Sequence, residues 1–173
     1  RQRLDSTHVI SNIKLLSRLG LFTETVANFL RQLRKECADK LAKLPDGYAK
    51  RYLDREGFFA DARRGQAQRR LPIVARDLYA LIRAFEEDEV VKAWESYGLL
   101  VRLLADQCDV TGAESPDEPV KLKEPLDIAG TSLQSPHDPD ATYGHKGKGY
   151  ETQLAETCVE ANPYQVITAV QVT

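Results

Sequence analysis

The chain has no methionine, one tryptophan, and only three cysteines among 173 residues. Cys37, Cys108 and Cys158 lie far apart and are odd in number. That excludes a disulfide framework and any zinc-ligand spacing, and it predicts a reducing, cytoplasmic setting. No apolar run is long enough to span a bilayer, so no membrane partner is expected. The N-terminus is polar and charged from Arg1 onward, so no signal peptide is expected. The missing methionine and the abrupt, strand-like start RQRLDSTHV predict a piece of a longer chain. Neither a phosphate-loop nor a dinucleotide glycine fingerprint occurs: GHKGKG has the wrong spacing and leads into no helix. His8, His137 and His145 have no mutual zinc spacing, and Ser6 with His8 lacks the elbow a nucleophilic serine requires. Formal net charge is only −2, so the overall balance says nothing about nucleic acid and only local charge can.

The chain does contain two kinds of segment around a helical middle. Residues 1–11 alternate like a strand, with Thr7 and Val9 favouring one. Asp5 is out of place there, because aspartate is depleted in strands and costly to bury unpaired. Two readings compete: Asp5 with Ser6 caps a following helix, or its charge is used. Residues 12–108 read as helical. Leu15, Leu16, Leu19, Phe22, Val26, Phe29, Leu30 and Leu33 form one buried stripe. Gly20 is expected to break this segment into two helices, with Thr23 capping the second. The turn Pro45-Asp46-Gly47 leads into a polar helical pattern with Tyr52, Phe58 and Phe59 as apolar contacts. Pro72 is expected in the first turn of a new helix. Ile73, Leu78, Leu81, Ile82 and Phe85 then form one stripe, and Val90, Val91, Trp94, Tyr97, Leu100, Val101 and Leu104 the next. The acidic run Glu86 to Glu89 reads as a solvated helix junction rather than a metal site, since consecutive helical residues point apart.

Residues 109–126 lose periodicity and read as a surface linker. Residues 127–173 read as strands: a short one at Asp127 to Gln134, another at Tyr150 to Cys158, and a third at Tyr164 to Thr173, the last two joined by a turn at Asn162-Pro163. Between the first two lies SPHDPDATYGHKGKGY. Asp138 and Asp140 around Pro139 are turn formers, with metal approach as the alternative. Lys146 and Lys148 sit among glycines that let a backbone come close, which suits phosphate contact, against an ordinary solvated hairpin. Arg63, Arg64, Arg69 and Arg70 around Gly65 form a second basic cluster, read either as phosphate-contacting or as solvated surface.

Taken together, LDSTHVISN, RLGLFTETVANFLRQL and SPHDPDATYGHKGKGYETQLAETC with YQVITAVQV after it resemble the DDE transposases of bacterial insertion sequences. The resemblance covers nearly the whole chain and is weakest over residues 45 to 125. It implies an α+β fold: a partial ribonuclease-H-like mixed sheet, made of the first strand plus the C-terminal hairpin strands, with a large helical insertion. It also implies that Asp5 is the first of three catalytic, metal-binding carboxylates. Two Mg²⁺ ions would serve phosphodiester hydrolysis and strand transfer. Lys146, Lys148 and Tyr150 match the family's glycine-lysine hairpin and imply DNA-backbone contact. The second aspartate and the glutamate of the family have no counterpart here. The whole of residues 1–173 is therefore expected to be one partial catalytic domain, inactive alone. Its parent enzyme would be a homo-oligomer that binds transposon ends and target DNA in the bacterial cytoplasm, associated with the nucleoid. The alternative is a non-enzymatic helical module, binding DNA or protein, whose main contact is the Arg63 to Arg70 cluster.

Overall fold

The computed structural model describes residues 2–10, 17–45, 47–54, 64–111, 119–144, 147–157 and 167–172. Within them the chain is α+β, with helices α1 (Arg18–Glu36), α2 (Ala38–Leu41), α3 (Tyr48–Tyr52), α4 (Arg64–Phe85), α5 (Glu89–Lys92) and α6 (Glu95–Gln107). The strands are β1 (Gln2–Ile10), β2 (Cys108–Val110), β3 (Val120–Leu122), β4 (Thr142–Gly144), β5 (Gly147–Thr157) and β6 (Ile167–Val172). No described helix is long and apolar enough to cross a membrane.

The long helices form the core. Phe22, Val26, Phe29, Leu30 and Leu33 of α1 are sealed from solvent against Val74, Leu78 and Leu81 of α4 and Leu100 and Leu103 of α6. Each such side chain contributes roughly 1.5–3 kcal/mol by leaving water. Phe29 is the centre, packing edge-on to Phe85 at 5.6 Å and tilted against Trp94 and Tyr97 at 6.2 Å. The stripe expected at 19 to 33 is therefore the core face of α1; Leu15 and Leu16, like Phe58 and Phe59, lie outside the described residues.

Several helical details differ from expectation. Gly20 breaks nothing: Ser17 caps α1, its hydroxyl accepting from the Gly20 N–H at 3.1 Å, and Thr23 bonds back to the Gly20 carbonyl inside the helix. Pro72 lies in the interior of α4 rather than in a first turn. It removes the hydrogen bond to the Gln68 carbonyl; both residues are exposed, where water is at hand. Ile73, Val90 and Val101 are exposed, at 39%, 60% and 43%, so three members of the expected stripes face solvent. The acidic run is a helix junction held by near and distant contacts: Asp88 caps α5 at the Val91 N–H and pairs with Lys40, 48 residues away, and Glu86 pairs with Arg83.

The sheets also correct the reading. The expected linker contributes an antiparallel ribbon, with Cys108 opposite Leu122 and Val110 opposite Val120. Burial pushes the Cys108 thiol up to about 11, so it is an inert packing group. The strand expected at Asp127 to Gln134 is absent; Pro125–Asp127 is a 3₁₀ turn and the rest is irregular. In the larger sheet β5 is central among the described strands. It pairs antiparallel with β1 along one side, and with β4 and then β6 along the other. The turn at Asn162-Pro163 and Cys158 lie outside the described residues. Ile167 and Val170 of β6 are more than half exposed.

Candidate nucleic-acid interface

Asp5 sits within β1, and its ladder partner in β5 is Leu154. A mid-strand position rules out the helix-cap reading, and the cap of the next described helix is supplied by Ser17 instead. The β1–β5 pairing joins the DSTHV segment to the strand that leaves the glycine-lysine turn, two stretches distant in sequence. Val9, four residues on, faces Tyr150; the two ladder positions are about 13 Å apart along the strand.

The turn itself is a hairpin. Gly144 of β4 pairs with Gly147 of β5, and Tyr143 pairs with Lys148. Lys146 lies outside the described residues, and for Lys148 only the backbone is described. Tyr150 is half-buried, and its hydroxyl donates to the Asp138 carboxylate. This bond, with burial as the smaller cause, raises the phenol above its ordinary value, so Tyr150 is a neutral donor at physiological pH. Asp138 thus ties the DPD loop to β5, and its carbonyl accepts from the Ala141 N–H to close a turn. The turn is thus closed by the Asp138 backbone, and its side chain accepts from Tyr150. Asp140 is exposed.

The loop is fastened to the helical block by Arg102, Asp106 and Glu24, none of them among the expected site residues. Arg102 of α6 reaches two loop carbonyls, Pro139 at 2.7 Å and Thr131 at 3.1 Å. Asp106, one turn on, accepts from the Leu133 N–H at 2.8 Å, and Leu133 is fully buried. The Gly130 carbonyl accepts from the Tyr143 N–H at 2.8 Å, which connects this loop to β4. Gly130 allows that approach: a Cβ there would lie 2.7 Å from the Tyr143 carbonyl oxygen. Glu24 of α1 bonds His137 at 3.2 Å and Arg31 at 3.0 Å. Burial works to raise the Glu24 carboxyl, but Arg31 and then His137 outweigh it and hold it below its ordinary value. Arg102, Asp106 and Glu24 are separated from their loop partners by 27 to 113 residues. No local sequence signal reaches that far.

The second basic cluster is only partly a cluster. Arg69 is exposed and Arg70 is half-buried, both on α4; Arg63 lies outside the described residues, and only the backbone of Arg64 is described. Among the described residues there is no group of three or more His, Cys, Asp or Glu side chains that could hold a metal ion. No protein-family model, curated protein or solved structure matches this chain.

Proposed function

We propose that this chain is part of the catalytic domain of a DDE transposase of a bacterial insertion sequence, built on a ribonuclease-H-like sheet, with Asp5 as its first metal-binding carboxylate. The observation that carries the reading is the register of β1 on β5: the strand bearing Asp5 lies directly beside the strand that emerges from the glycine-lysine hairpin. These are two of the segments on which the resemblance rests. An aspartate inside a strand is costly without a counter-charge, and a divalent cation supplies one.

Asp5 would be one of the carboxylates that hold Mg²⁺, which would supply activation of a water or a 3′-hydroxyl and stabilisation of the leaving oxygen at phosphorus. The described residues do not by themselves complete a metal site, so no step of the reaction is assigned to this chain alone, and alone it should not cut DNA. What its own residues contribute is a strand-borne carboxylate and a hairpin braced by Tyr150 and Asp138. On this reading Lys146 and Lys148 contact the DNA backbone as point charges. The partners are transposon-end and target DNA and further copies of the enzyme, and the protein works in the cytoplasm at the nucleoid.

The test uses the gene that encodes the chain. The codons after Thr173 should supply an aspartate and then a glutamate on a helix. The protein expressed with that continuation should nick its element's ends with Mg²⁺, and Asp5→Asn should abolish nicking while leaving DNA binding intact. A continuation without those acids, or nicking that survives Asp5→Asn, overturns the reading.

A further inference from the structure

Helix α4 carries five arginines and one aspartate, a net of +4, in a chain whose formal charge is −2. The aspartate, Asp77, is already engaged: it accepts from the Tyr52 hydroxyl at 2.7 Å and pairs with Arg51 at 2.9 Å. Three of the five arginines share one face of the helix. Arg69, Arg76 and Arg83 recur every seven residues, which brings them within about 40° of one another around the axis and about 10.5 Å apart along it. All three are exposed. The core residues Val74, Leu78, Leu81 and Phe85 occupy the opposite pole. Arg83 pairs with Glu86 at the surface, with the arginine side chain 58% exposed; such pairs are weak and exchange readily for another anion.

We propose that this arginine stripe is a binding surface for the phosphate backbone of duplex DNA. The spacing between successive arginines is close to the ~12 Å width of the B-form major groove, so a helix laid across the groove reaches phosphates on both strands. A-form RNA has a major groove too narrow for this crossing, and its wide, shallow minor groove makes duplex RNA the competing ligand in the test. Arginine also suits the task, because its planar fork binds phosphate oxygens in pairs. The stripe goes beyond the transposase reading and stands without it: backbone contact needs no catalytic carboxylate. It also differs from the Arg63 to Arg70 cluster, since it extends along α4 from Arg69 to Arg83 and uses only one member of that group.

The test measures binding of the whole chain to a mixed-sequence DNA duplex between about 50 and 200 mM salt, where phosphate contacts dominate affinity. The variant Arg69→Gln/Arg76→Gln/Arg83→Gln changes three exposed positions and keeps helix-forming side chains. Its salt slope should fall by about three, with roughly hundredfold weaker binding near 0.1 M salt. A charge-matched control, Lys43→Gln/Lys50→Gln/Lys121→Gln, alters exposed positions on other elements and should bind like the parent. No duplex binding by the parent, an unchanged slope in the arginine variant, or an equal loss in the control overturns the proposal. So does tighter binding to duplex RNA than to duplex DNA. Nicking by the extended protein tests the catalytic reading and the salt slope tests the stripe, so failure of the one and failure of the other are read out separately.

Discussion

Replacing Arg102 with alanine should loosen the loop that supports the hairpin without unfolding the helical core. Its guanidinium makes one part-buried hydrogen bond, to the Pro139 carbonyl at 2.7 Å, and one exposed bond, to the Thr131 carbonyl at 3.1 Å. Its contact with Asp106 is longer, 3.7 Å. A hydrogen bond to a charged donor is worth roughly 1.5–3 kcal/mol when shielded. The Arg102 side chain is 37% exposed, so the lower end applies to the first bond and roughly 0.5 kcal/mol to the second. The loss is therefore about 2 kcal/mol. It falls on a local opening reaction, because the bonds join residues 131 and 139 to α6. Two amides report it: Leu133, bonded to Asp106, and Tyr143, bonded to Gly130. Native-state hydrogen exchange should be about thirtyfold faster at Tyr143, while the amides of Phe29 and Leu30 in α1 keep their parent rates. Arg102→Lys keeps the charge but cannot reach two carbonyls with one planar fork, so it should fall between. Parent-like exchange at Tyr143 in the alanine variant would refute the claim that α6 positions this loop. An equal acceleration throughout α1 would show that Arg102 supports the whole fold instead.

Three further outcomes rest on the same kind of contact. Gly130→Ala drives a Cβ to 2.7 Å from the Tyr143 carbonyl oxygen, so the loop must shift from β4; the Tyr143 amide should lose protection with a cost of about 1–3 kcal/mol, comparable to overpacking. Tyr52→Phe removes a buried donor to Asp77 and should lower stability by about 2 kcal/mol, or the Tm by about 4–8 °C in a calorimetric scan; an unchanged Tm would mean the hydroxyl contributes nothing net. The folded Glu24 carboxyl lies below its unfolded value. Its stabilisation is thus present above about pH 4.3 and lost as pH falls through the folded value. The Tm gap between parent and Glu24→Gln should be open at neutral pH and should close in acid; a gap independent of pH would contradict the pairing with Arg31 and His137.

The parts legible in the amino-acid order are those whose physical cause is local. The apolar spacing of residues 19 to 33 is the core face of α1, the alternation at the N-terminus is β1, and the glycine-lysine turn opens a hairpin into β5. Asp5 is recognisable as an anomaly because a carboxylate inside a strand conflicts with the propensity around it. Other features depend on partners distant along the chain. Periodicity treats every apolar side chain on a stripe alike, yet Val90 and Val101 are exposed because no neighbouring element covers them among the described residues. Pro72 reads as a helix start because its missing N–H is harmless there; within α4 the packing of Val74, Leu78 and Leu81 holds the helix through it. The β2–β3 ribbon is short and weakly alternating, and pairing across the loop, not composition, makes it a sheet. Only the folded chain brings β1 against β5, sets Arg102 and Asp106 under the DPD loop, and turns Arg69, Arg76 and Arg83 of α4 away from the core. The reason is that strand registry and side-chain bonds between residues dozens of positions apart are settled by packing and hydrogen-bond geometry, which leave no periodic trace in a single stretch of sequence.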